Sequence, residues 1–239
     1  MDTRIALQPA YVLHRRPFQN TSLLVDFFTF DYGLVRAVAK GARREKSRYR
    51  ALLQLFQPLL VSATGMGEVK TLTAVESNVS AINLRGERLF SGLYINELLS
   101  RLLQNQEEHT ALYGNYQETL IALQGEQGIE PLLRRFELKL LSELGYAINL
   151  SEDCETNLPI NPDSIYRFIP DVGFQTRSLS GAAALGSSEF TGADLIAVRD
   201  LDIETSGAAQ AAKRLLRLAL AAHLGDKPLY SRSLFTASQ

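Results

Sequence analysis

The sequence predicts a multidomain α+β protein, in which a small five-stranded barrel is followed by a mainly α-helical C-terminal domain. Three observations carry this prediction. Short apolar runs between turn residues fill positions 1–80, a helical period takes over in 81–239, and an irregular stretch rich in Pro and Gly interrupts the helices at 146–190. With 239 residues, 46% apolar and 21% charged, the chain is long enough to bury two modest cores and has the composition of a folded protein.

The strands are placed by their turns. Tyr11 to His14, Ser22 to Thr29, Leu34 to Lys40, Leu55 to Thr64 and Glu68 to Val75 are the five runs. Asp31-Tyr-Gly33 links the second to the third, and Gly65-Met-Gly67 links the last two. Pro58 falls near the start of its strand, where a missing N–H costs least. In the third strand Val35, Ala37 and Ala39 share one face, while Leu34, Arg36, Val38 and Lys40 share the other. The second strand alternates poorly: Leu24 and Phe28 lie with Asp26, opposite Leu23, Val25 and Phe27, so its inner face is left open.

The helices are placed by apolar spacing. Ile95, Leu98, Leu99, Leu102 and Leu103 form one buried stripe. A second helix is expected over Thr110 to Gln124, and a third begins near Ile129, with Pro131 tolerated in its first turn, and stops at Gly145. Thr191-Gly-Ala-Asp194 reads as a helix start. Ala208 to Leu224 reads as a long helix ended by Gly225, burying Ala212, Leu215, Leu216 and Ala219 and leaving Lys213, Arg214 and Arg217 outside.

Charge is distributed unevenly. The net charge is −1, yet residues 1–80 hold 11 basic and 6 acidic side chains, and 207–239 hold five basic and one acidic. Within the first block, Lys40-Gly-Ala-Arg-Arg-Glu-Lys-Ser-Arg-Tyr-Arg50 packs six cations against one acid. A phosphate backbone releases counterions to each cation it meets, so such a run points to a polyanion. The ordinary alternative is a solvated loop.

Enzyme chemistry finds no convergent set of residues. There is no Walker-type loop, no Gly-x-Ser-x-Gly elbow and no His-Glu-x-x-His. His14, His109 and His223 lack metal-ligand spacing, and Asp200, Asp202 and Glu204 read as a solvated loop. The single cysteine, Cys154, excludes an internal disulfide and a zinc site of paired thiolates, and it suits a reducing compartment. The opening residues lack the apolar core of a signal peptide, and no apolar run is long enough for a bilayer, so no membrane association and a cytoplasmic location are expected.

Arg36-Ala-Val-Ala followed by Lys40-Gly-Ala-Arg43 resembles the RecO family of bacterial recombination mediators. Three further blocks, Leu93 to Leu103, Leu133 to Tyr146 and Leu224 to Phe235, resemble it in the same order. The resemblance implies an N-terminal OB-fold β-barrel, a helical domain and a non-enzymatic role in recombination and DNA repair. It implies binding of single- and double-stranded DNA, annealing, and loading of recombinase with RecR onto DNA coated by single-strand-binding protein, in the cytoplasm at the nucleoid. Many members carry a four-cysteine zinc site in the irregular insert. This chain departs from them, so a zinc-free, degenerate zinc-ribbon-like insert without a cofactor is expected.

OB folds hold single strands with a cationic track and aromatic platforms. The residues expected to contact DNA are Arg36, Lys40, Arg43, Arg44, Lys46, Arg48, Tyr49 and Arg50, with a second contact at Lys213, Arg214, Arg217, Lys227 and Arg232. Phe28 or Phe30 is a further candidate platform, with core packing the favoured reading of both. Arg134, Arg135 and Lys139 beside Leu133 and Leu138 are expected to receive the acidic C-terminal tail of single-strand-binding protein, with helix solvation and a Glu130–Arg134 pair as the alternative. An RNA-binding OB module and a non-catalytic assembly scaffold share these features and stand as the competing functions.

Overall fold

The computed structural model describes residues 4–77, 79–177, 185–203, 205–225 and 227–236. The chain forms two compact units, Met1–Gln127 with Pro228–Gln239, and Gly128–Lys227.

The first unit is built on β1 (Ile5–Phe18), β2 (Ser22–Thr29), β3 (Gly33–Ala39), β4 (Leu59–Thr64) and β5 (Val69–Glu76), with a one-turn helix α1 (Tyr49–Leu52) between β3 and β4. The strands close into a barrel in the order β1-β2-β3-β5-β4. β1 pairs with both β2 and β4, and β3 runs parallel to β5 from Arg36↔Val69 to Val38↔Thr71. This is the OB-like closure that leaves no free sheet edge. The barrel core takes Val12, Val25, Phe27, Ala37, Val61 and Leu72, which settles the inner face of β2 as that of Val25 and Phe27.

β1 is far longer than the expected Tyr11 to His14. Its register shifts twice, between Ile5 and Gln8 and between Val12 and His14, and such bulges erase the period-2 signature. Leu55 opens no strand: Phe56 has φ 60°, which breaks the extended chain, and Leu55 keeps only an isolated bridge to Val12. β4 therefore starts at Leu59.

α2 (Gly86–Leu102) and α3 (Thr110–Gln124) complete this unit. The bulge in β1 leaves two strand carbonyls to satisfy. The buried Asn96 of α2 donates to Val12 O at 3.4 Å and Leu13 O at 3.2 Å, and Tyr116 of α3 donates to Asn96 Oδ1 at 2.7 Å. Around this network the outer face of the barrel is aromatic: Tyr11 and Phe28 pack on Tyr113 and Tyr116 with centroids 5.1–5.8 Å apart. Burial raises the Tyr11 pKa to about 12 and those of Tyr113 and Tyr116 as well, so these hydroxyls stay neutral. Gly33 is required where the 105–109 turn crosses β3, because a Cβ there would lie 1.8 Å from Glu107 O.

A last helix, α7 (Tyr230–Thr236), belongs to this unit too. Its orphan N–H groups find the Glu97 carboxylate of α2, which accepts from Tyr230 N at 2.9 Å and from Ser231 N at 2.8 Å.

The second unit holds α4 (Ile129–Glu143), β6 (Ile165–Ile169), β7 (Gly173–Thr176), β8 (Glu189–Thr191), α5 (Gly192–Arg199) and α6 (Ser206–Leu224). The Pro- and Gly-rich insert, open to short strands on its sequence, carries three of them as an antiparallel sheet in the order β7-β6-β8, with Phe168, Phe174 and Phe190 buried in it. Thr191 caps α5 as expected, its Oγ1 accepting from Asp194 N at 3.1 Å. Gly225 ends α6 with φ 66°.

Candidate nucleic-acid interface

The basic run is a loop pinned at both ends by apolar side chains. Ala42 and Leu53 are both buried in the barrel core. Between them the chain turns repeatedly, through Arg44 N to Gly41 O, Ser47 N to Arg44 O and Arg50 N to Ser47 O. Arg43 N also donates to Thr21 O at 2.8 Å, which holds the loop against the β1–β2 turn. The anchors bury backbone and methyl groups, and the charges are left outside. Lys40, Arg43, Arg44, Lys46, Arg48 and Arg50 are all exposed. Among the described residues none of the six forms an ion pair, whereas Arg36, Arg134, Arg177, Arg199 and Lys213 each meet a carboxylate.

Two neighbours of the run differ from expectation. Arg36 stands opposite Asp26 in the β2–β3 register and grips it through Nε–Oδ1 and Nη2–Oδ2, so its charge is already answered within the sheet. Tyr49 is half-buried against the barrel core, with Arg48 Cζ 5.6 Å from its ring centroid. Its ring braces the loop and does not stand out as a free platform. Phe28 is fully buried, in keeping with a core role, whereas Phe30 is 36% exposed and only its edge contact with Tyr113, at 5.5 Å, ties it to the core.

Arg15 and Arg16 escaped the sequence reading. Arg16 is exposed, and Arg15 donates to Leu53 O at 2.5 Å and to Gln54 Oε1 at 3.0 Å. The triplet His14-Arg-Arg16 was the available signal, but the bulge at Leu13 decides which of the two arginines turns inward.

The helical cations of the second unit are less uniform than expected. Arg214 is turned inward: its Nη2 donates to Glu189 O at 2.7 Å and its guanidinium lies 4.5 Å from the Phe190 centroid. Lys213 and Arg217 stay exposed one turn apart, with Lys213 Nζ 2.8 Å from Glu130 Oε1. Lys227 is exposed as well. Arg232 is half-buried and belongs to the first unit, the other four to the second.

On α4, Arg134 is 8% exposed and bonds at 2.8 Å to Glu137, itself fully buried. The expected Glu130–Arg134 pair is not formed, since Glu130 pairs with Lys213. Leu133 is buried too, leaving Arg135, Lys139 and the half-buried Leu138 on the open face.

The insert does not have the residues for the zinc site that the family resemblance implies. Cys154 is the only sulfur ligand of its kind in the chain, and the described residues contain no group of three or more His, Cys, Asp or Glu side chains arranged to hold a metal. The buried Asp153 beside it spends both oxygens on protein donors. Oδ1 accepts from Glu155 N and Thr156 N at 2.9 Å, and Oδ2 from Thr176 N and Oγ1 at 2.6 Å. One carboxylate thus ties the 153–156 turn to β7. Desolvation works to raise the Asp153 pKa, but these hydrogen bonds, led by the Thr176 hydroxyl, hold it well below the ordinary value. Asp200 pairs with Arg199 at 2.8 Å, and Glu204 lies outside the described residues. Among those residues no helix is long and apolar enough to cross a membrane.

Comparison with known proteins covers both units. Residues 1–80 match the family model described as recombination protein O N terminal, and residues 84–233 the one described as recombination protein O C terminal. The chain is 44% identical over 227 residues to the DNA repair protein RecO of Actinobacillus pleuropneumoniae serotype 7, covering 94% of this chain and 92% of that one. It is 42% identical over 234 residues to the DNA repair protein RecO of Coxiella burnetii (98% and 99%), and 41% identical over 230 residues to that of Haemophilus influenzae (96% and 95%).

Proposed function

The chain belongs to the recombination protein O family, and on that premise we propose that it serves DNA repair as a non-enzymatic recombination mediator. It binds single- and double-stranded DNA through the loop after β3 and anneals complementary strands. With RecR it helps load recombinase onto DNA coated by single-strand-binding protein, at the nucleoid in the cytoplasm. The observation that carries this reading is the loop itself: six exposed cations, held at both ends by core residues and answered by no carboxylate among the described residues. Each phosphate they neutralise frees a counterion, which supplies affinity independent of base sequence and leaves base edges open for pairing.

The second DNA contact is kept to Lys213, Arg217 and Lys227 of the second unit, without the inward-turned Arg214 and without Arg232, which belongs to the first unit. The site for the acidic tail of single-strand-binding protein narrows to Arg135, Lys139 and Leu138. Titrating labelled single- and double-stranded DNA across a salt series, then measuring annealing with and without single-strand-binding protein, tests the reading. A steep inverse salt dependence and annealing of coated strands are expected. Binding insensitive to salt, or a strong preference for structured RNA, would overturn it.

A further inference from the structure

The β1–β2 hairpin and the basic loop enclose a groove of about 480 Å³, and strand register explains why it is there. β4 leaves β1 after Leu59↔Ala10, so from His14 onward β1 pairs with β2 alone. The bulge at Leu13 then sets Arg15 opposite Val25 and Pro17 opposite Leu23. Val25 faces the barrel core and Leu23 packs against it, so Arg15 and Pro17 share the inward face of the sheet. At these positions the barrel's apolar interior gives way to an arginine.

The loop closes the other side with Ala42, Arg43 and Arg50. Gln54 braces the wall, accepting from Arg15 Nη2 at 3.0 Å while its amide donates to Arg50 O. Three guanidiniums therefore surround a floor of Pro17, Leu23 and Ala42, and none of the three meets a carboxylate among the described residues.

We propose that this groove is a single-nucleotide subsite, in which a phosphate lies between Arg43 and Arg50 and the attached sugar and base rest on Pro17, Leu23 and Ala42. The inference deepens the DNA-binding reading above and rests on it. An unpaired strand suits the groove better than an acidic peptide, because the exposed cations continue past it through Arg44, Lys46 and Arg48 and so match a ligand with a charge on every unit. A base pair would expose no single apolar face to such a floor.

The test uses the full chain and two charge-matched double variants in one loop. Arg43→Gln with Arg50→Gln alters the groove, whereas Arg44→Gln with Arg48→Gln removes the same charge outside it. At one fixed salt concentration the first pair is expected to weaken oligo(dT) binding about tenfold more than the second. Equal losses would overturn the subsite and leave DNA binding by the loop standing, and no loss in either would overturn both. In a second arm, the wild type is expected to prefer oligo(dT) to an abasic strand of the same length, and Pro17→Glu is expected to abolish the preference. Equal affinity of the wild type for both strands would overturn base contact in the groove. So would capture, through Arg43 and Arg50, of an Asp-rich peptide ending in Phe in place of oligo(dT).

Discussion

Arginines of the loop after β3 and two helical arginines, Arg134 of α4 and Arg214 of α6, sit in opposite circumstances. Arg43, Arg44, Arg48 and Arg50 stand in solvent with no carboxylate of the described residues against them. Arg134 is buried against Glu137, and Arg214 lies on Phe190 and bonds to Glu189 O. The difference comes from what each segment buries. The loop buries only Ala42 and Leu53 fully and leans Tyr49 and Leu52 on the core, so the heads of its arginines stay at the surface. A helix offers a whole face, and an arginine at its margin lays its stem along that face and brings its head to an internal acceptor. Local charge density therefore marks a ligand surface only where the fold has not already answered the charge.

The largest effect that would break this comparison is on α4. Removing Arg134 breaks its 2.8 Å ion pair with the fully buried Glu137, so Arg134→Ala should cost about 3 kcal/mol of stability in urea unfolding. A loss below about 0.5 kcal/mol, as for an ordinary surface substitution, would place Arg134 with the loop cations. The converse experiment neutralises Arg43, Arg44, Lys46 and Arg48 together. Urea unfolding should barely change, while the slope of log affinity against log salt for single-stranded DNA should fall by about one for each phosphate no longer neutralised. An unchanged slope would remove the loop from the interface.

Asp153 offers a satisfied charge of the other sign. Asp153→Asn should cost about 2 kcal/mol, the scale of hydrogen bonds to a charged group. The native carboxylate is held below the ~3.9 of an unfolded Asp, so the unfolded chain binds the proton first. Its contribution is whole above about pH 4 and drains away as pH falls from there toward the lower folded value. Unfolding curves from pH 6 to pH 2 should thus fall less steeply for the variant, and parallel curves would show that the carboxylate is not the tie. The smallest effect belongs to the exposed Lys213–Glu130 pair: Lys213→Gln should change stability by less than about 1 kcal/mol. A larger loss would extend the buried behaviour of Arg214 to its neighbour.

Much of the fold was legible because its signals are local. The turns Asp31-Tyr-Gly33 and Gly65-Met-Gly67, the bounds of α3 and the Thr191 cap of α5 all depend on residues a few positions apart. The basic loop was legible for the same reason. Illegible were features set by partners far along the chain: the length of β1, the pairing of Arg36 with Asp26, and the half-buried ring of Tyr49.

By itself the sequence determined the five barrel strands and the longer helices, the cation-rich loop, and a single cysteine too few for a thiolate metal site. Those are matters of composition and of spacing within a turn or two. Tertiary structure decided which charges remain available. One bulged residue, Leu13, turns Arg15 into the groove and leaves Arg16 outside, and one inward-facing position on α4 hands Arg134 to Glu137. The reason is physical: whether a charge stays free depends on where the nearest acceptor and the nearest apolar surface come to lie, and both are brought there by residues distant in the chain.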